Sequence, residues 1–209
     1  MSQLSNAKIL GEIGSLLLLI GCLTFISPAV GLLGLIGLIL VLIALNGFAN
    51  YYKEKGIFNN ALYGIITFIV GAVVTIAVAI FILVDFLTSL GIDLTNWQSL
   101  QTVDWASIMT PDKIIGLVGS GIVALVILFI FCILGAYFLR KSLDLLATKT
   151  DVKLFATTGL IILIGAVLTI ILIGFILLFV AILLLIISFF SIKTPTSTPE
   201  ASQTPIQNP

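Results

Sequence analysis

Charged residues divide the chain into four long apolar intervals. Residues 13–52 run for 40 positions without a charge, 56–84 for 29, 114–139 for 26 and 154–192 for 39. A helix rising 1.5 Å per residue crosses a hydrocarbon layer of about 30 Å with about 20 apolar residues. The two middle intervals are therefore single spans, long enough to tilt or protrude. As single helices the two outer intervals would be roughly 60 Å long, twice the bilayer, and tilt cannot absorb that.

The first interval shows where it breaks. In LTFISPAVGLLGL (23–35), Pro28 removes a backbone donor and clashes with the preceding turn, which ends the first helix near Ile26. Ser27 can cap the next helix, with Pro28 at its first position. The last interval has no proline, yet its layout repeats the first: IGSLLLLIGCLTFI (13–26) aligns with TGLIILIGAVLTII (158–171), Gly14 over Gly159 and Leu23-Thr24 over Leu168-Thr169, and Gly174 follows. Glycine is the available hinge, so a second tight hairpin is expected near Ile171–Gly174.

Together these readings predict an all-α, polytopic membrane helix bundle ordered hairpin, span, span, hairpin. Its six spans lie at about 9–26, 29–49, 57–87, 112–139, 153–171 and 174–192. An outer loop occupies 88–111, an inner loop 140–152, and a Pro/Ser/Thr-rich tail 193–209 lacks the apolar area to fold. Lysine and arginine near span ends favour the cytoplasm. With six spans and a cytoplasmic N-terminus, eight of the nine basic residues fall inside, and the outer segment keeps Lys113 beside Asp85, Asp93, Asp104 and Asp112. Four spans would export Lys53, Lys55 and the 140–153 cluster. Five spans, which exports Lys193 and the tail, is the alternative. Both termini are expected in the cytoplasm, and the cell membrane is the expected location.

Composition narrows the chemistry. Sixty per cent of the 209 residues are hydrophobic, 9% are charged, and the net charge is zero, so no field draws nucleic acid. The absence of histidine removes His-based acid–base catalysis and His-ligated metals. Cys22 and Cys132 form no CxxC pair and read as small buried hydrophobes. Lys8, a short apolar run and Leu19–Cys22 have the form of a lipoprotein-processing site, but cleavage there would leave a chain starting inside an apolar run, so an uncleaved span is expected. The acids at 85, 93, 104 and 112 do not have the spacing of a calcium loop. No nucleotide-binding loop, nucleophile motif, filter sequence or buried acid–base pair is present. No catalytic residue, metal ligand or cofactor is expected.

The polar residues that remain have structural readings. Asn59 and Asn60, entering the third span, can cap it or bond across to another helix, with Asn46 as a partner; Ser120 is a further interhelical candidate. Trp97 and Trp105, on an expected surface-lying helix in the outer loop, and Tyr51 and Tyr52 at the inner boundary are interface anchors. TPDK (110–113) reads as a helix start capped by Thr110. Gly31, Gly34 and Gly37 recur every three residues, and Gly116 pairs with Ser120, as in grooves through which helix backbones approach in lipid.

NAKILGEIGSLLLLIG (6–21), GLIGLILVLIALNGFANYYKEKGIFNNALYG (34–64) and the stretch from Lys153 to Phe190 resemble an archaeal membrane family, domain of unknown function 996. The polar junction YYKEKGIFNNALYG carries most of the resemblance. It implies a membrane setting and an archaeal source, and carries no activity or site residues with it. The expected role is non-enzymatic: membrane interaction, assembly or lipid organisation, with the lipid bilayer, further copies of the chain or other membrane proteins as partners. The rival is an oligomeric channel or transporter for ions or small solutes, which requires Asn46, Asn59, Asn60, Ser120 and Thr169 to converge on a wet seam.

Overall fold

Six helices follow one another along the chain: α1 Gln3–Gly21, α2 Pro28–Tyr51, α3 Lys55–Ser89, α4 Pro111–Thr150, α5 Leu154–Leu168 and α6 Ile173–Phe190. A 3-10 turn, Thr169–Ile171, extends α5. The structure, a computed structural model, describes residues 3–23, 28–92, 104, 110–171 and 173–193. All six helices are long and apolar enough to cross a membrane, and no strand occurs among the described residues. The all-α, six-span reading is the architecture found, and the 39-residue last interval is two helices rather than one.

Each helix packs antiparallel on its predecessor, and α1 also packs on α6, so the six close into a ring. The alternation gathers one set of ends together: the start of α1, the α2–α3 and α4–α5 turns, and the end of α6. The buried cluster lies there, built from Leu4, Ala44, Phe48, Ile57, Leu146 and Phe155 with their neighbours. We call this the core end. Toward the far end α3 and α4 outreach the rest: α3 is about 52 Å long against about 28 Å for α1. Its outer face there carries exposed Ile69, Val73, Ile76, Ile80 and Phe81.

Several boundaries differ from expectation for identifiable reasons. α1 ends at Gly21 rather than near Ile26; Gly21 lies directly on Gly34, where a Cβ would meet the Gly34 backbone. Residues 140–150, expected within an inner loop, continue α4 as helix. They form an amphipathic stretch, with Ser142, Leu143, Leu146 and Ala147 buried and Arg140 and Asp144 paired at i, i+4 on the other side. α4 begins at Pro111 with Thr110 at the cap position in extended conformation, but the Thr110 hydroxyl makes no capping bond. Cys22 is exposed and Cys132 half-exposed, so neither is the buried hydrophobe expected. The second hairpin turns at Thr169–Ile171, where bare Gly174 lets α6 touch the Gly165 carbonyl and Thr169 backbone. The aligned glycines of the two hairpins pack differently: Gly14 meets α2 at Gly37 and Val41, whereas Gly159 meets Arg140 of α4.

Candidate functional site

The core end is where the chain concentrates its polar contacts and its tightest packing. Phe48 of α2, Phe155 of α5 and Phe189 of α6 are fully buried. Phe189 stacks on Phe48 with centroids 6.1 Å apart and meets Phe155 edge-on at 5.1 Å, both favourable aromatic geometries. A third part of the Phe189 ring lies on Gly11 of α1. One side chain thus joins four helices.

Hydroxyl and charged groups tie in the rest. Ser142 of α4, fully buried, donates to the Ile57 carbonyl of α3 at 2.5 Å. Thr158 of α5 and Ser188 of α6 lie 3.5 Å apart, so that one hydroxyl donates to its own helix, at Leu154 or Leu184, while the other can donate across to it. Lys8 Nζ donates to the Ile192 carbonyl beyond α6 at 2.8 Å and pairs with Glu12 at 3.7 Å. Glu54, in the α2–α3 turn, pairs with Lys149 at the end of α4 at 3.5 Å. Both core-end turns hold a non-glycine residue in the left-handed region, Lys53 (φ 53°) and Asp151 (φ 57°). Exposed Tyr51 meets Tyr52 edge-on at 5.0 Å. Burial, then the adjacent Tyr51, push the Tyr52 phenol above its ordinary value.

Chemically this arrangement binds helices together. Among the described residues no group of three or more His, Cys, Asp or Glu side chains could hold a metal.

The candidate polar residues separate. Asn60 is buried, but its amide donates within its own helix to Gly56 at 2.7 Å, so neither a cap nor an interhelical bond forms. Asn59 is exposed. Asn46 lines a groove between α1 and α2 with Gln3, Asn6 and Asn50. Ser120 lines a cleft of about 180 Å³ at the far end with Asp85, Ser89 and Lys113, and Lys113 donates to the Ser89 carbonyl at 3.2 Å. Thr169 donates to Gly165 in the turn of the second hairpin. Gly34 and Gly37 sit against Gly21 and Gly14, and Gly31 is half-buried, but Gly116 faces open space and mediates no packing. Tyr51 and Tyr52 stand at the core-end boundary; Trp97 and Trp105 lie outside the described residues.

The model of a family described as protein of unknown function (DUF996) matches residues 33–183. The chain belongs to this family. An uncharacterized protein of Methanocaldococcus jannaschii is 31% identical over 191 residues, 91% of this chain and 93% of that protein. No solved structure matches. Within this DUF996 chain, the residues that sequence reasoning passed over are Phe189, Gly11, Ser142 and the carboxamides beside Asn46. The last had a readable signal: Gln3 with Asn6 and Asn46 with Asn50 are spaced i, i+3 and i, i+4, which puts each pair on one helix face.

Proposed function

We propose that this DUF996 chain is a multi-pass protein of the cell membrane, with both termini cytoplasmic, that acts without catalysis as a membrane scaffold. It organises lipid or assembles with further copies or other membrane proteins. The observation that carries this reading is the division of labour between interior and exterior. Polar groups are used at the core end to hold helices to one another, while each helix presents large apolar side chains outward along its spanning length, among them Ile13, Ile39, Val73, Val123, Ile164 and Phe179. Such a body is adapted to lipid and to apolar partners. The positive residues around the core end support a cytoplasmic placement of that end.

The test is made in two membranes. In native membranes, a photo-crosslinker placed at Val73 is expected to yield one discrete higher-mass species containing the chain. In sealed vesicles, the purified protein is expected to leave ion and small-solute permeability at the protein-free level. Reproducible solute flux that requires the protein would replace the scaffold reading with the pathway reading.

A further inference from the structure

We propose that the groove between α1 and α2 at the core end holds the headgroup of a lipid whose head is neutral and rich in hydroxyls, a glycosyl lipid. The inference deepens the scaffold reading by naming a lipid class, and it rests on the chain being embedded in a membrane.

Four carboxamides converge there: Gln3 and Asn6 from α1, Asn46 and Asn50 from α2. All four side chains are exposed, and none makes a hydrogen bond with another described residue. A carboxamide offers two N–H donors and an acceptor oxygen, and a sugar hydroxyl likewise both donates and accepts. No charged side chain lines the groove. The neighbouring cation on α1, Lys8, is turned to the opposite side and bonded to Ile192 and Glu12. A phosphate head would call for lysine or arginine at the site; this lining suits a neutral head.

Depth and shape argue that the ligand is a lipid rather than a free sugar. The carboxamides lie near the level of the α2–α3 turn, where charged groups begin. On the side toward mid-membrane the groove passes to Leu10 and Ile43 and on to exposed Ile39 and Ile36, an apolar track for a tail. The floor is shallow because α1 and α2 nearly touch: a Cβ on Gly47 would come within 2.8 Å of the Ala7 Cβ. The cavity is about 250 Å³, somewhat below the roughly 300–1,000 Å³ of sites for drug-sized ligands, and thus room for a single ring.

Native mass spectrometry of the full chain, in a detergent without a sugar head, tests the assignment. The probes are a monoglucosyl lipid and a phosphoglycerol lipid with matched tails. The glucosyl adduct is expected to exceed the phosphoglycerol adduct about tenfold, the equivalent of one or two net hydrogen bonds. Asn6→Leu with Asn46→Leu, both at exposed positions, is expected to abolish that preference and leave the phosphoglycerol adduct unchanged. Asn50→Leu provides a second variant should the pair fail to fold, and Asn59→Leu, outside the groove, should keep the preference. Equal adducts of the two lipids, or a preference that survives the groove variants, would overturn the assignment. So would displacement of the lipid by excess free glucose, which would identify a soluble sugar as the ligand. A dimer lost in the same variants would overturn it too, by making the groove a contact between copies. If the lipid preference fails while the crosslinked species at Val73 persists, the headgroup assignment alone falls and the scaffold reading stands.

Discussion

The ring of Phe189 occupies the space that a side chain on Gly11 would need: a Cβ there would come within 2.5 Å of two ring carbons. The first helix of the chain is thereby pressed directly onto the last. Phe189 cannot swing away, because Phe48 lies against one face and Phe155 meets it edge-on. In lipid there is little hydrophobic gain from bringing helices together, so close van der Waals contact of this kind is what closes a ring.

Gly11→Val therefore separates α1 from α6. Overpacking of a fixed site typically costs about 1–3 kcal/mol, and a loss of that order is expected in detergent-titrated unfolding. Adding Phe189→Leu should restore part of the loss, since the shortened side chain makes room. Purely additive losses in the double variant would show that the two residues are not in contact.

Ser142 supplies the polar counterpart, a buried hydroxyl from α4 on the Ile57 carbonyl of α3. Ser142→Ala removes the bond and leaves little void. Interhelical hydrogen bonds in membranes contribute about 0.6–2 kcal/mol, and the low end is expected, because a helical carbonyl at this position also faces a backbone N–H. Ser142→Val loses the bond and adds volume at a site with no exposure, so it should destabilise more than the alanine variant. The order of the two in the same unfolding titration is the check.

The number of helices was legible in the chain because charges, costly in hydrocarbon, bound four apolar intervals, two of them too long for a single crossing. Pro28 and the Gly34–Gly37 spacing were legible for similar reasons, as features lipid does not demand. Which face of each helix turns inward was not. In water an apolar stripe marks the buried face; here both faces are apolar, so Phe189 (buried) and Phe190 (exposed) look alike in sequence. The marks that survive are small and hydroxyl residues, and Gly11, Ser142, Thr158 and Ser188 are among the contact positions. Asn60 misled for a related reason: deprived of water, its amide found the nearest carbonyl, four residues back in its own helix.

Lys53 is strained where Gly91 is not. Both helix ends use the same capping pattern: Glu54 N–H bonds to Ala49 and Lys53 N–H to Asn50 at the end of α2, Ile92 N–H to Leu87 and Gly91 N–H to Thr88 at the end of α3. The left-handed position is filled by Lys53 (φ 53°) in one and Gly91 (φ 77°) in the other. A left-handed conformation costs a residue with a Cβ roughly 1–2 kcal/mol, and glycine returns about half of that through its extra freedom when unfolded. Lys53→Gly is expected to stabilise the protein by about 0.5–1 kcal/mol. Lys53→Ala, which removes the charge and keeps the strain, should give no such gain; equal stabilisation by both would assign the effect to charge instead.

The proposed orientation rests on the basic residues at the core end, and single cysteines can test it. Cys22 is exposed and Cys132 half-exposed, so alanine at both should leave the fold intact. In that background, Ser89→Cys sits on an exposed position at the far end and Thr148→Cys on an exposed position at the core end. An impermeant maleimide applied to intact cells is expected to label Cys at 89 and to reach Cys at 148 only after lysis. The reverse pattern would place the lysine-rich end outside and overturn the cytoplasmic assignment of both termini. Because α3 and α4 form one antiparallel pair, with Gly64 against Gly135 and Gly71 against Phe131, the two positions lie at opposite ends of that pair. Labelling of both in intact cells would mean that this pair does not cross the membrane.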